Sequence, residues 1–167
     1  MREPSISAIL LAAGLSTRMG GPNKMLLPFQ ETIVIQHTYN QLSNCGVKEV
    51  IVVGGEGFDD LKAVLRLRES DCLVQNSNYI NGMTSSIKEG VANATGDAFI
   101  ICLGDMPQLN TECYSSMVEA YMATYSRNAK AIMSPVVNGV RGNPVIFSGA
   151  HKKEIMENAS RLNKGAI

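Results

Sequence analysis

Neither sign of charge predominates in this chain: fifteen Lys and Arg residues stand against fifteen Asp and Glu among 167. A nucleic-acid or anionic-membrane surface needs a basic patch, so neither partner is expected. No apolar run approaches the roughly 20 residues that cross a bilayer as a helix. Met1-Arg2-Glu3-Pro4 leads straight into a strand-like run without a leader pattern, so the expected location is the cytoplasm. Cysteine is scarce: Cys45, Cys72, Cys102 and Cys113 form no Cys-x-x-Cys pair, and neither histidine sits beside one. That argues against a zinc site. Cys102 lies within an apolar run and reads as a small core residue. No Cys-His or Ser-His-Asp set stands out. Two common phosphate signatures are also missing. There is no Gly-x-x-x-x-Gly-Lys-Ser/Thr loop and no Gly-x-Gly-x-x-Gly fingerprint.

What the chain does have is apolar residues, 45% of the total, with only 18% charged. That is enough for a sizeable core, and the length predicts one domain. Apolar runs alternate with helical patterns. Strands are expected over Ile6–Ala12, 47–53, Cys72–Gln75, Ala98–Leu103, 129–137 and 144–147. Helices are expected over 33–44, 58–68, 84–92, Thr111–Tyr125 and 151–159. The helix at 84 carries Ser or Thr near its start as a cap, Cys45-Gly46 ends the helix at 33–44, and Gly54 to Gly57 read as a loop. This alternation argues for an α/β domain with a largely parallel sheet. The nearly continuous apolar strands fit a sheet covered on both faces. Ligands of such sheets bind at the carboxyl ends of the strands. The segment after Leu11 and the pair Gly104-Asp105 both follow strands, so they are expected on one edge. The nine methionines are scattered and read as core filler.

The first strand runs into Gly14-Leu15-Ser16-Thr17-Arg18-Met19-Gly20-Gly21-Pro22-Asn23-Lys24. Glycines let the backbone approach a ligand closely, and successive N–H groups can cradle an anion. Arg18 offers a planar donor fork and Lys24 a mobile point charge. Strand, glycine loop and cations together suggest a phosphate-rich ligand such as a nucleoside triphosphate. A surface turn with two solvated cations would also satisfy the pattern. Asp105, between Gly104 and Met106-Pro107, could hold Mg²⁺, a hard cation that prefers oxygen ligands and bridges phosphates. Gly-Asp-x-Pro is equally good turn chemistry.

The loop resembles the Leu-Ala-Ala-Gly-x-Ser-x-Arg-Met-Gly-x-x-x-Lys pattern of nucleotidyltransferases related to the molybdenum-cofactor enzymes. Three later stretches agree in order. Asn76 to Ser86 is similar to that family's Asn…Gly-Met-Ser-x-Ser segment. Gly104-Asp105-Met106-Pro107 is similar to its metal site. Arg141-Gly142-Asn143-Pro144-Val145-Ile146-Phe147 is similar to its Gly-x-Pro-x-x-Phe strand.

The resemblance implies a three-layer Rossmann-like domain with a mostly parallel mixed sheet, of the nucleotide-diphospho-sugar transferase type. It implies Mg²⁺ on Asp105, neutralisation of the triphosphate by Lys24 and Arg18, and approach of Lys24 to the α-phosphate. Gly14 and Ser16 would donate to phosphate; Ser16 could instead cap a turn. The nucleobase would be met by Leu11, Ala12, Ala13, Gly54 and Asn76, with Gly82 and Ser86 opening a helix towards the nucleotide. For Ser86 a plain helix-surface role is an equal alternative. Arg141, Asn143 and Pro144 would border the second substrate, although Arg141 could be an ordinary surface cation. Ala12-Ala13-Gly14 resembles the cytidylyl rather than the guanylyl branch, implying CTP before GTP. The implied acceptor is a molybdopterin-type phosphate, with delivery of the product to a molybdoenzyme or its chaperone. A sugar 1-phosphate transferase and a non-catalytic nucleotide- or pterin-binding module remain open as alternatives.

The sequence departs from the pattern at its end. The family's Gly-Asp-x-Gly-Ala-Arg stretch aligns with Leu162-Asn163-Lys164-Gly165-Ala166-Ile167. Asn163 replaces the second metal carboxylate, Ile167 replaces the Arg, and the chain is shorter here than family members usually are.

Overall fold

A computed structural model of the chain describes residues 3–14 and 23–158. In chain order the elements are β1 (Ile6–Ala12), a 3₁₀ turn (Lys24–Leu26), β2 (Pro28–Phe29), β3 (Thr32–Ile33), α1 (Val34–Ser43), β4 (Glu49–Gly54), α2 (Phe58–Val64) and β5 (Cys72–Gln75). A second 3₁₀ turn (Tyr79–Asn81), α3 (Met83–Asn93), β6 (Ala98–Leu103) and α4 (Thr111–Tyr125) follow. The last elements are β7 (Ile132–Met133), β8 (Val136–Val137), β9 (Val140–Arg141), β10 (Val145–Ser148), a 3₁₀ turn (Gly149–His151) and α5 (Lys152–Asn158).

Six strands form one sheet in the order β5-β4-β1-β6-β10-β7. The ladders β5–β4, β4–β1 and β1–β6 are parallel. Strand β10 runs antiparallel to both β6 and β7. The sheet is therefore mixed and mostly parallel, as expected. Two small antiparallel pairs, β2–β3 and β8–β9, stand outside it.

Successive side chains of a strand point to opposite faces, and β1, apolar at six of its seven positions, packs against helices on both. Ala8, Leu10 and Ala12 join one cluster with Ile35, Tyr39 and Leu42 of α1 and Tyr114, Val118 and Tyr121 of α4. Ile9 and Leu11 join another with Ile87 and Val91 of α3 and Ile155 of α5. All seven β1 residues are buried. Helices thus cover both faces, giving the three layers. Among the described residues no helix is long and apolar enough to cross a membrane.

Several boundaries differ from the sequence expectation. The helix expected over 58–68 stops at Val64, because the next residues are captured elsewhere. Arg66 N–H donates to Gln36 Oε1 at 2.8 Å, and Gln36 Nε2 donates back to Arg66 O at 3.1 Å. The strand expected over 129–137 is two short pieces, β7 and β8, divided at Ser134-Pro135. Proline cannot donate to a ladder, and Pro135 O instead accepts from Gly142 N–H at 2.9 Å. Helix α3 starts at Met83 and is preceded by Gly82 (φ +90°), with no side-chain cap. Gly54 belongs to β4, paired with Ala12 and Gln75, and is not loop.

Candidate functional site

The carboxyl ends of β1 and β6 lie side by side. Their ladder runs to Leu11↔Leu103, and Gly104 N–H then donates to Leu11 O at 2.9 Å. Only glycine fits at 104. A Cβ there would sit 2.8 Å from Leu11 O, 2.9 Å from Ile35 Cδ1 and 3.0 Å from Met25 Sδ. The buried Thr38 hydroxyl of α1 reaches Gly104 O at 3.3 Å while also bonding Val34 O at 2.9 Å. The turn bearing Asp105 is thereby fixed to β1 on one side and α1 on the other.

Above these ends lies a cleft of about 270 Å³. From β1 and its exit it is lined by Leu11, Ala13 and Gly14; from β6 by Leu103 and Asp105; from the 3₁₀ turns by Met25, Tyr79 and Ile80; and from the start of α3 by Gly82, Met83 and Ser86. The walls are mainly apolar. Asp105, which is exposed, is the ionisable carboxylate among them. An apolar cleft with a few placed polar groups is the usual form of a small-molecule site, and the strand ends are the expected place for it. Leu11, Ala13, Gly14, Gly82, Ser86 and Asp105, all named from the sequence, line this one cleft.

Other candidate residues sit elsewhere. Ala12 faces the α1 layer and is buried in that cluster. Gly54 packs under α2: a Cβ there would be 3.0 Å from Phe58 Cδ2 and 3.1 Å from Leu61 Cδ1. Asn76 is 2% exposed and spends its amide on protein partners. Lys24 is exposed on the turn whose next residue, Met25, is buried and lines the cleft. Asn23 Oδ1 accepts from Met25 N–H at 3.0 Å and sets that turn. Arg141 lies on β9 opposite Val136. Asn143 and Pro144, joined by a cis peptide, lead into β10. None of these three lines the cleft. Ser16, Arg18 and Asn163 lie outside the described residues.

Sequence reasoning missed Met25, Tyr79, Ile80, Met83 and Leu103 as lining residues, and Thr38 as the brace on Gly104. Tyr79 to Met83 stand inside the Asn76–Ser86 motif, but nothing in the one-dimensional pattern separates a side chain facing the cleft from one facing solvent. Among the described residues no group of three His, Cys, Asp or Glu side chains could hold a metal. A Mg²⁺ that keeps several waters needs only one or two protein carboxylates, and Asp105 is the carboxylate among the cleft-lining residues described.

The remaining titratable networks lie away from the cleft. Burial alone would push the Asp71 carboxyl up, but the Arg68 guanidinium, the Tyr39 hydroxyl and Val50 N–H outweigh it and hold the pKa below its usual value. The contacts are 2.8 Å from Arg68 Nε, 2.6 Å from Tyr39 Oη and 2.9 Å from Val50 N. Glu49 behaves alike: burial pushes it up, while the hydroxyls of Ser7 and Thr95 and the Thr95 N–H bring it below its usual value. These carboxylates tie loops to the sheet. Burial raises the thiol pKa of Cys45 to about 11 and that of Cys102 well above its usual value, so both are inert as nucleophiles.

Comparison with known proteins agrees with this geometry. Residues 8–166 match the family described as the MobA-like NTP transferase domain. A molybdenum cofactor cytidylyltransferase of Escherichia coli K12 is 30% identical over 145 residues, 86% of this chain and 70% of that protein. The bifunctional protein GlmU of Clavibacter sepedonicus is 27% identical over 153 residues, 89% of this chain, and the chain spans 30% of that longer protein. The crystal structure of Rv0371c from Mycobacterium tuberculosis H37Rv shares the fold, with a TM-score of 0.78 at 24% identity over 94% of this chain and 78% of that one. With a match to that family's model over nearly its whole length, the chain belongs to the nucleotidyltransferases of the MobA-like NTP transferase domain family.

Proposed function

We propose that this protein is a single nucleotidyltransferase domain over residues 1–167 that moves a nucleoside monophosphate, CMP from CTP, to the phosphate of a molybdopterin-type acceptor and releases pyrophosphate. The observation that carries the reading is the shared cavity of Ala13, Gly14 and Asp105 at the ends of two adjacent parallel strands. The likeness to a molybdenum cofactor cytidylyltransferase supports the choice of base and acceptor. The apolar walls suit flat rings, and the Ala13 Cβ narrows the space on the β1 side.

The acceptor phosphate needs no protein base. A phosphate monoester has its second pKa near 6 and arrives largely dianionic. Its oxygen attacks the α-phosphorus in line and pyrophosphate departs. The residues then have two tasks, positioning and stabilising charge as it moves onto the leaving oxygens. Gly14 gives the triphosphate close backbone approach. Lys24, which directly precedes the cleft-lining Met25, and Arg18 would supply positive charge. Asp105 would hold Mg²⁺, which would offset phosphate charge when bound with the nucleotide. A second reading, a binding module without turnover, is favoured by there being one carboxylate on the cleft among the described residues.

The deciding experiment incubates the protein with CTP, GTP or ATP, Mg²⁺ and molybdopterin and measures pyrophosphate. Release with CTP above GTP is expected. One small group discriminates by about 1–3 kcal/mol, so GTP is used less and not refused. Tighter calorimetric binding of GTP than CTP reverses the base assignment. Binding without pyrophosphate from any triphosphate supports the module. Turnover with a sugar 1-phosphate in place of molybdopterin reassigns the acceptor. Lys24→Ala should lower kcat more than it raises KM, because its interaction strengthens in the transition state; a change in KM alone makes it a simple phosphate anchor.

A further inference from the structure

One side of the cleft, Tyr79 to Ser86, is not part of the sheet and must be held against it. The bonds that hold it converge on Asn76, which is 2% exposed and follows β5 directly. Its backbone N–H donates to Gly54 O at 2.8 Å, extending the pairing of β5 with β4. Its Nδ2 donates to Ser85 Oγ at 2.8 Å and Ser86 Oγ at 3.0 Å. Its Oδ1 accepts from Asn78 N–H at 2.9 Å. Ser85 Oγ lies 2.8 Å from Gly82 O and 2.9 Å from Asn78 O, so its proton is shared across the turn. The amide orientation is fixed by these partners: flipping it would set the NH₂ group against the Asn78 N–H.

An amide has two N–H donors, and both are used inside the protein. Asn76 therefore has none left with which to read a nucleobase edge. The same wall is seated a second time beside β4. An ideal Cβ on Gly55 would come within 2.7 Å of Tyr79 Cβ and 3.0 Å of Ala13 Cβ. Tyr79 therefore rests on bare backbone next to the base-side lining.

We propose that Asn76 is a positioning residue: acting through Ser85 and Ser86, it holds the Tyr79–Ser86 wall at the distance from Ala13 and Gly14 that a nucleotide requires. This rests on the nucleotidyltransferase reading of the cleft. Losing the side chain loosens the wall and weakens nucleotide capture, but it does not change which base is preferred.

The test uses Asn76→Ala, the milder Ser85→Ala, and both together. Amide exchange over residues 78–86 should accelerate about tenfold or more while β4 is unaffected, as expected for local opening. KM for CTP should rise about tenfold with a smaller change in kcat. The ratio of kcat/KM for CTP and GTP should hold within about twofold. The double variant should be far less impaired than the product of the two single effects, since coupled residues are not additive. A collapsed CTP/GTP ratio would make Asn76 a base reader and overturn the proposal. So would faster exchange with unchanged KM and kcat, which is a purely structural effect. Unchanged exchange overturns it by itself. Should Asn76→Ala fail to fold, Ser85→Ala gives the same exchange and KM readouts. Should the unaltered protein release no pyrophosphate, the nucleotidyltransferase reading fails separately, and exchange together with CTP and GTP binding by calorimetry still decides the role of Asn76.

Discussion

The parallel and antiparallel parts of the sheet are built differently. In the parallel part, β1, β4 and β6 are buried on both faces, and the carboxyl ends of β1 and β6 carry the cleft. In the antiparallel part β10 is buried, but the β8–β9 pair beyond it is not. Val136, Val137 and Val140 are 60%, 70% and 69% exposed. Neighbouring residues on one strand point opposite ways, so exposure of both Val136 and Val137 means this ribbon stands clear of the body on both faces. The first region fixes the geometry of Gly104 and Asp105 through close packing. The second presents Arg141 on a ribbon tied by a two-residue turn at Asn138 and Gly139, both at positive φ. Groups placed by a core should be sensitive to small changes. Groups carried on a ribbon should not.

The strongest contrast is expected at Asp105. Asp105→Ala should lower pyrophosphate release about a hundredfold or more, as loss of one oriented electrostatic group does. Being exposed, it should change stability by no more than about 0.5 kcal/mol. Near-normal rates in the folded variant would remove it from the site. Gly104→Ala should do harm of the other kind. Its Cβ would meet Leu11 O and Ile35, and overpacking costs about 1–3 kcal/mol. A urea melt that shows no loss would mean that the strand ends yield more easily than their spacing implies.

A smaller effect is expected where a loop is tied to the sheet. Tyr39→Phe removes the hydrogen bond its hydroxyl donates to the Asp71 carboxylate and the one it accepts from Arg68 N–H, and should cost about 1.5 kcal/mol or more at neutral pH. The sign with pH follows from the lowered Asp71 pKa. Its contribution is complete above the ordinary carboxylate value of about 3.9 and is lost as pH falls through the lower folded-state value. The gap between wild type and variant should therefore narrow in acid; a gap that widens there contradicts the assignment. The smallest effect belongs to the ribbon. Val137→Thr should leave both melting and turnover near wild type, within about 0.5 kcal/mol. A large loss of either would show that the ribbon is part of the working site.

The same division explains what could be read from sequence. Strands β1, β5 and β6 and helix α4 have the expected limits, because each is set by its own apolar pattern and flanking breakers. The end of α2 was not legible, since Arg66 is captured by Gln36, thirty residues earlier. The break at Pro135 was in the sequence, but the apolar residues on either side masked it. In the cleft, Leu11, Ala13, Gly14 and Asp105 were legible because strand ends announce themselves. Asn76 was legible as a residue of interest, but its bonds to Ser85 and Ser86 were not, because they form only when that segment folds back onto it. Met25 and Ile80 were not legible, because being beside a cleft leaves no periodic trace.

The central position of β1 also has a consequence for assembly. Ser7 meets Glu49 across 42 residues, and Ser5 meets Asp97 across 92. Local helices can form within their own segments, but this strand gains neighbours only after two long loops have closed, and such distant pairings slow folding. The carboxyl ends of β1 and β6 come together at the second closure. Partly folded chains can therefore hold α1 and β4 in place and still lack any cleft, so nucleotide capture should be among the last properties a refolding molecule acquires.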